Sequence, residues 1–260
     1  MKSIDIDQMD NLPGRRIADG ESFCFACHAG LACFNRCCRN LNLFIYPYDV
    51  LRLKNALGMT SGDFLDRHVD VVMREGNHFP DVLLTMADNP ERTCPFLTEP
   101  GCSVYAHRPD TCRTFPVEQG QYFDANTGRA TVVHFFRPPD FCLGRHETRP
   151  WTPAQWEADQ DARRYHDMTR RWADIKSRFQ ENPWGASGPE GQQAKMAFMA
   201  VYNIDRFREF LFDSSFFKRY AVKPDLKRKL KADDDTLLAF GFDWVELFVW
   251  GVASKRMRPR

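Results

Sequence analysis

The sequence predicts an α+β fold, predominantly helical, in which a small, irregular, cysteine-stapled module with a β-hairpin packs against a C-terminal helical layer. Three observations predict it. All nine cysteines lie within the first 142 of 260 residues, and five of them fall between Cys24 and Cys38. Short apolar runs interrupted by Gly, Pro, Asn and Asp occupy that same region, the pattern of brief strands and turns. From Thr152 onward, apolar residues recur at threes and fours with charged residues between them, the period of amphipathic helices. The implied organisation is a cysteine-cluster module over residues 1–150 and a helical region over 151–260. No long flexible linker separates them near residue 150, so the two can share one core.

Taken in order, residues 1–22 read as a loose lead-in with a turn at Pro13-Gly14. The stretch from Cys24 to Cys38 contains Gly30 and Asn35 and has no sustained period, so it reads as a loop shaped by whatever its sulfurs bind. Leu41 to Tyr46 reads as a short strand. Pro47 to Leu57 reads as a helix, with proline in its first turn, Val50, Leu53 and Leu57 on one face, and Gly58 closing it. Thr60 and Asp63 offer a capping box to a second helix with Phe64, Leu65, His68, Val69 and Val72 towards the core. Val82 to Met86 reads as a strand. Tyr122-Phe123 and Thr131 to Phe136 read as the arms of a hairpin joined across Asp124 to Gly128. In the helical region, Ala158, Ala162, Tyr165, Met168, Trp172, Ile175 and Phe179 form one stripe, and Asn182 to Gly191 a linker. Ala200, Ile204, Phe207 and Leu211 form a second stripe, and Asp235 can cap a last segment running to about Lys255. Such stripes are core, not cofactor lining.

Composition excludes several function classes. A net charge of +1 and a pI near 7.6 give no basic field for bulk nucleic-acid binding. The two helices after Pro47 have a helix-turn-helix outline, but the second sets Asp63, Asp66 and Asp70 against Arg67 and Arg74. Phosphate contact needs a net basic face. The basic run from Lys223 to Lys231 is followed by Asp233 to Asp235 and reads as a solvated surface. Met1 to Arg16 lacks the apolar core of a signal peptide, and Trp244 to Ala253, the longest apolar candidate, is too short to span a membrane and contains Glu246. A cytoplasmic location is therefore expected. Nucleotide-binding, P-loop and esterase signatures are absent.

In a reducing compartment a dense cysteine group signals metal ligation more readily than disulfides, and an odd total leaves one thiol over in any disulfide scheme. Thiolates are soft ligands suited to zinc or to the irons of an iron–sulfur cluster. Only Cys24-x-x-Cys27 has zinc-knuckle spacing. The gaps of five, three, zero, seven and nine residues elsewhere fit a larger cluster or two centres. The adjacent Cys37-Cys38 pair carries the most information. Neighbouring side chains diverge, so the two can reach separate centres, or one binds while the other stays a free thiol. Cys94-Pro95 matches the Cys-Pro ending of bacterial ferredoxin runs.

These motifs have an order. Cys27-x5-Cys33-x3-Cys37-Cys38 is followed by Cys94-Pro-Phe-Leu97, Gly101-Cys-Ser-Val-Tyr105, Arg108-Pro109 and Cys112-Arg-Thr-Phe-Pro116. Over roughly residues 22 to 142 the series resembles the CxxCxxCC cysteine-cluster family (YkgJ-like), described as zinc- or iron-chelating. The first cysteines are spaced more widely than that name implies, and Cys24 stands as an extra. The resemblance implies Cys27, Cys33, Cys37, Cys38, Cys94, Cys102, Cys112 and Cys142 as ligands, with Cys24 in reserve. Eight thiolates suit two four-ligand sites, or one larger site with a pair over. Arg36, Arg39, Arg108 and Arg113 would offset the sulfur charge, or else grip an anionic ligand. His28 and His107 read as surface or hydrogen-bonded histidines ahead of ligands or acid/base groups.

The expected function is that of a cytoplasmic cysteine-ligated metalloprotein. It would bind one or two iron–sulfur clusters, of the 4Fe-4S type, for a redox or catalytic role on a small-molecule or protein substrate. No nucleic-acid or membrane partner is expected, and no catalytic residue is marked. A zinc-binding structural or interaction module is the alternative, and a non-haem iron enzyme the third reading.

Overall fold

A computed structural model describes residues 2–3, 9, 11–124 and 129–260. The fold is α+β, about 47% helix and 16% strand, so helix predominates as expected. The chain forms two compact units, one of residues 1–43 and 86–173, the other of residues 44–85 and 174–260. It therefore passes between units at three points, not once near residue 150. The reason lies in the Pro47–Ala56 and Ser61–His68 helices, which pack against helices from the C-terminal part of the chain. All nine cysteines belong to the first unit.

The first unit contains a four-stranded sheet in the order Lys2–Ser3, Val117–Asp124, Arg129–Phe136, Arg15–Ile17. The predicted hairpin is its centre, in register from Val117 opposite Phe136 to Asp124 opposite Arg129. Turn residues 125–128 lie outside the described residues. The lead-in is less loose than expected: Arg15–Ile17 pairs antiparallel with Phe136 to His134, because Ile17 gains a place in the apolar core. That core gathers Ile17, Phe23, Phe25, Val117, Cys142, Trp151 and Trp156, with Phe115 and Phe136 against it. Two buried indoles find acceptors in the first unit, Trp151 Nε1 donating to the Phe25 carbonyl at 2.9 Å and Trp156 Nε1 to that of Thr114 at 2.8 Å.

The stripe from Ala158 to Phe179 is not one helix. Pro153–Asp159, capped by Thr152 and Gln155, ends before Asp161, whose φ of 49° turns the chain into Arg163–Ser177. Aspartate tolerates that left-handed conformation better than most side chains do.

The second unit is mainly helical: Pro47–Ala56, Ser61–His68, Gln192–Tyr202, Ile204–Asp213, Phe216–Arg219, Pro224–Ala232 and Asp234–Trp250. Val50, Leu53, Phe64, Ala200, Phe207, Leu211, Phe240 and Trp244 are buried. Gly58 (φ 64°) ends the first helix, and Thr60 Oγ1 accepts the Asp63 N–H at 3.1 Å to start the second, both as predicted. Several boundaries differ. The second helix ends at His68, and the β-branched run Val69–Val72 pairs antiparallel with Asp81–Leu84, leaving Val71 and Val72 exposed. Leu41 to Tyr46 makes only a single bridge, Phe44 opposite Leu83, instead of a strand. The second stripe breaks at Asn203, whose side chain accepts the Arg206 N–H and caps the next helix. The last helix is capped by Asp233, not Asp235, and stops at Trp250 because Gly251 (φ 68°) turns left-handed. Among the described residues, no helix is long and apolar enough to cross a membrane.

Candidate metal centre

The aromatic core positions the first group of thiols. Phe25 and Ala26 donate their N–H groups to the carbonyls of Arg149 and Gly144, at 3.0 and 3.2 Å, which ties the chain before Cys27 to the chain after Cys142. Gly144 is required there, since a Cβ would stand 2.4 Å from the Ala26 carbonyl oxygen. The Leu143 N–H donates to Cys33 Sγ at 3.2 Å, drawing a third cysteine in. Cys37 completes the group. Partial burial of the thiol, then the Cys37, Cys142 and Cys33 sulfurs, push Cys27 up to about 11, although the residue as a whole is exposed. Cys142 is pushed up in turn, first by burial and then by Cys33 and Cys37.

A second group forms on the other side of Cys37-Cys38. The Cys94 N–H donates to the Cys38 carbonyl at 2.8 Å and Asn40 to Arg92 at 2.9 Å, with an antiparallel bridge between Arg39 and Thr93. Leu97 pairs with Cys102 in a tight two-stranded turn that returns Cys102 towards Cys94. Cys38 is pushed up by donating its S–H to Cys37, by burial, and by the nearby Cys37, Cys112 and Cys94 sulfurs. Burial raises Cys94 as well, with Cys102 adding to it. Cys112 lies on the short Asp110–Thr114 helix.

The two groups therefore meet at the adjacent pair. Arg36–Cys38 is a single 3₁₀ turn entered through Asn35 in the left-handed region (φ 61°). Within it the Cys37 sulfur acts on Cys27 and Cys142, whereas Cys38 is acted on by Cys112 and Cys94 as well as by Cys37. The two adjacent sulfurs stay in hydrogen-bond reach, and the Cys38 S–H is the main reason Cys37 is held down to about 7. Burial opposes that shift, while Cys37's own N–H and the Arg39 charge assist it.

Backbone amides also serve the sulfurs. Cys94 accepts from the N–H groups of Phe96 and Leu97, Cys142 from Gly144 and Arg145, and Cys102 from Val104. An N–H dipole stabilises a thiolate without adding net charge. No disulfide joins any of the nine cysteines. Among the described residues, no three His, Cys, Asp or Glu side chains close on one point at single-ion spacing. The thiols are gathered, not converged.

The other candidates separate clearly. Cys24 is exposed on a strand whose flanking Phe23 and Phe25 are buried, outside both groups. His28 is a surface side chain 3.9 Å from Glu147, and His107 sits half-buried in a 3₁₀ turn. Arg36 lies over the Phe141 ring, and Arg39 bonds to Glu91 at 3.2 Å. Arg108 and Arg113, in contrast, are buried.

One polar group escaped sequence reasoning. Buried His166 has Nε2 3.4 Å from Asp110 and Nδ1 2.6 Å from Glu157, with Gln119 at 2.9 Å. Burial pushes the Asp110 carboxyl up and the facing His166 opposes it. Asp110 follows Pro109 at a helix start, where an acid needs no further explanation, so no sequence signal marked it.

Residues 26–131 match the family model CxxCxxCC, putative zinc- or iron-chelating domain. Seven of the eight candidate ligands fall inside that span, and Cys142 lies beyond it. No curated protein and no solved structure matches the chain. The family match supports metal binding, with zinc or iron as the metal.

Proposed function

We propose that the protein carries two four-thiolate metal centres, Cys27/Cys33/Cys37/Cys142 and Cys38/Cys94/Cys102/Cys112, each taking an iron–sulfur cluster of the 4Fe-4S type. The role is redox or catalytic, in the cytoplasm, where cysteines outside disulfides persist as thiols. The support is electrostatic: besides burial, the Cys37, Cys142 and Cys33 sulfurs act on Cys27, the Cys37, Cys112 and Cys94 sulfurs act on Cys38, and Cys102 acts on Cys94.

The donor chemistry fits. Every proposed ligand is a soft sulfur, and four thiolates are the usual complement of such a cluster. Burial raises the Cys94, Cys102 and Cys142 thiols, and amide donors on each partly offset it. A bound cluster would supply one-electron transfer. The chain's own part is to hold the sulfurs, pack Cys142 into the Phe25–Trp156 core, and set their charge environment. Iron and acid-labile sulfide analysis of anaerobically purified protein tests the reading, with a brown protein containing both as the expected result. A colourless protein with stoichiometric zinc and no iron would falsify it.

Zinc, one of the two metals in the family description, is the second reading, favoured by the four-thiolate composition of structural zinc sites. It assigns the same eight ligands to two structural ions and expects two zinc per chain.

A further inference from the structure

The sequence sets Asp233 to Asp235 directly after the basic run from Lys223 to Lys231, but the structure gives those three carboxylates other partners. Asp233 caps the last helix, accepting the Asp235 and Thr236 N–H groups at 3.3 and 3.1 Å. Asp234 lies 3.0 Å from Lys54 Nζ, accepts from Asn55 Nδ2 at 3.0 Å and pairs with Arg208. Asp235 accepts from the Tyr48 hydroxyl at 3.5 Å. The basic run is therefore not neutralised by the acids that follow it.

A second basic segment joins it. Tyr220 pairs antiparallel with Pro259 and Ala221 with Arg258, and the Arg260 N–H donates to the Arg219 carbonyl at 2.9 Å. Residues 214–232 contain seven Lys and Arg against the single acid Asp225, and residues 252–260 contain four against none. Of these eleven cations, only Arg228 with Asp225 and Arg256 with Asp243 form ion pairs among the described residues. Ten of the eleven are exposed. Buried Phe216, Val222, Leu230 and Met257 anchor the two segments in the second unit. Lys227 and Lys231, one turn apart on the Pro224–Ala232 helix, lie over the Phe217 and Phe212 rings at 4.3 and 5.1 Å, which orient their ammonium groups. The whole chain is near neutral, but the field over this surface is strongly positive.

The make-up of the surface selects among polyanions. A membrane takes up an apolar face along with the charge, and among the described residues only Val252 of these two segments is an exposed large hydrophobic. Protein interfaces are depleted in lysine. Nucleic-acid interfaces are polar and strongly positive, and half-buried Phe212, Phe217 and Tyr220 set rings among the cations, the combination that binds single strands. We infer that residues 214–232 and 252–260 form a binding surface for single-stranded nucleic acid, gripped through its phosphates without regard to sequence. The inference is independent of the metal reading.

The test is the fluorescence anisotropy of a labelled oligothymidylate about 20 nucleotides long, more than one such site covers, titrated with the full chain. Binding should weaken about a hundredfold between about 50 and 200 mM salt, as about five phosphate contacts at a slope of roughly −0.7 each require. Lys227→Gln/Lys231→Gln should bind about tenfold or more weakly, with a salt slope shallower by about 1.4. Lys255→Gln/Arg258→Gln, in the other segment, should do the same, and it carries the test alone if the helix variant loses the wild-type urea midpoint. Lys195→Gln, an exposed cation of the second unit outside the surface, should change nothing. No binding at about 50 mM salt, or binding that the folded double variants leave unchanged, overturns the inference. Tighter binding to phosphatidylserine vesicles or to polyglutamate than to the oligonucleotide overturns it too, in favour of a membrane or an acidic protein.

Discussion

At the residue scale the adjacent Cys37-Cys38 pair is where the two proposed centres join. With one sulfur assigned to each proposed centre, replacing either should remove half of the bound metal and not all of it. Cys37→Ser is expected to lose the Cys27/Cys33/Cys142 equivalent, and Cys38→Ser the Cys94/Cys102/Cys112 equivalent, by metal analysis per chain. Cys24→Ser should retain both, because Cys24 is exposed and belongs to neither proposed ligand set. Loss of all metal from either single variant would point to one joint site. Gly144 offers a second test. Its missing Cβ lets the Ala26 carbonyl approach, so Gly144→Ala should weaken metal retention at the first group alone. The ligand candidates were legible in the sequence, since the motifs name them in order. Their division into fours was not, because it depends on which segments the fold lays beside residues 37 and 38.

At the element scale, helix contacts in the second unit set the consequences of single changes. Gly241 in the last helix meets the Gln192–Tyr202 helix so closely that a Cβ would lie 2.1 Å from the Ala200 carbonyl oxygen. Gly241→Ala should therefore destabilise the protein by about 2 kcal/mol, the scale of an overpacked core, read from the urea midpoint. The last helix also joins the Pro47–Ala56 and Ile204–Asp213 helices in a half-buried charge cluster. Lys54 Nζ lies 3.1 Å from Asp205 and 3.0 Å from Asp234, and Arg208 pairs with both carboxylates. Burial acts to raise the two acids, but the amide, Lys54 and neighbouring donors outweigh it and hold both below the ordinary 3.8. A depressed folded value means stability that is present above the unfolded pKa and is lost as pH falls through the folded one. Urea midpoints should drop below about pH 4, and Asp205→Asn should lower the neutral midpoint while flattening that acid limb. Helix periods and caps were readable at this scale. The breaks at Asp161 and Asn203 were not, since an apolar stripe continues across a corner whenever both helices face one core.

At the scale of the whole molecule, the cysteines and most of the helical core belong to different units. The sequence suggested a boundary near residue 150, because composition changes there. Yet Val50, Leu53 and Phe64 have a period that tells only that a face is buried, not which distant helix buries it. That separation has a consequence for metal removal. The eight proposed ligands come from segments of the first unit between Cys27 and Cys142, and metal binding to such a set is linked to folding free energy. The second unit, residues 44–85 and 174–260, contains no cysteine and has its own core around Phe207, Phe240 and Trp244. Chelation under reducing conditions should therefore expose the first unit to proteolysis while cleavage spares the second. Far-ultraviolet circular dichroism should keep most of its helical signal, since seven of the helices lie in the second unit. Uniform digestion of both units after metal loss would show that the helical core depends on the metal as well. A first unit equally resistant with and without metal would show that its aromatic core, from Phe23 to Trp156, holds the fold unaided.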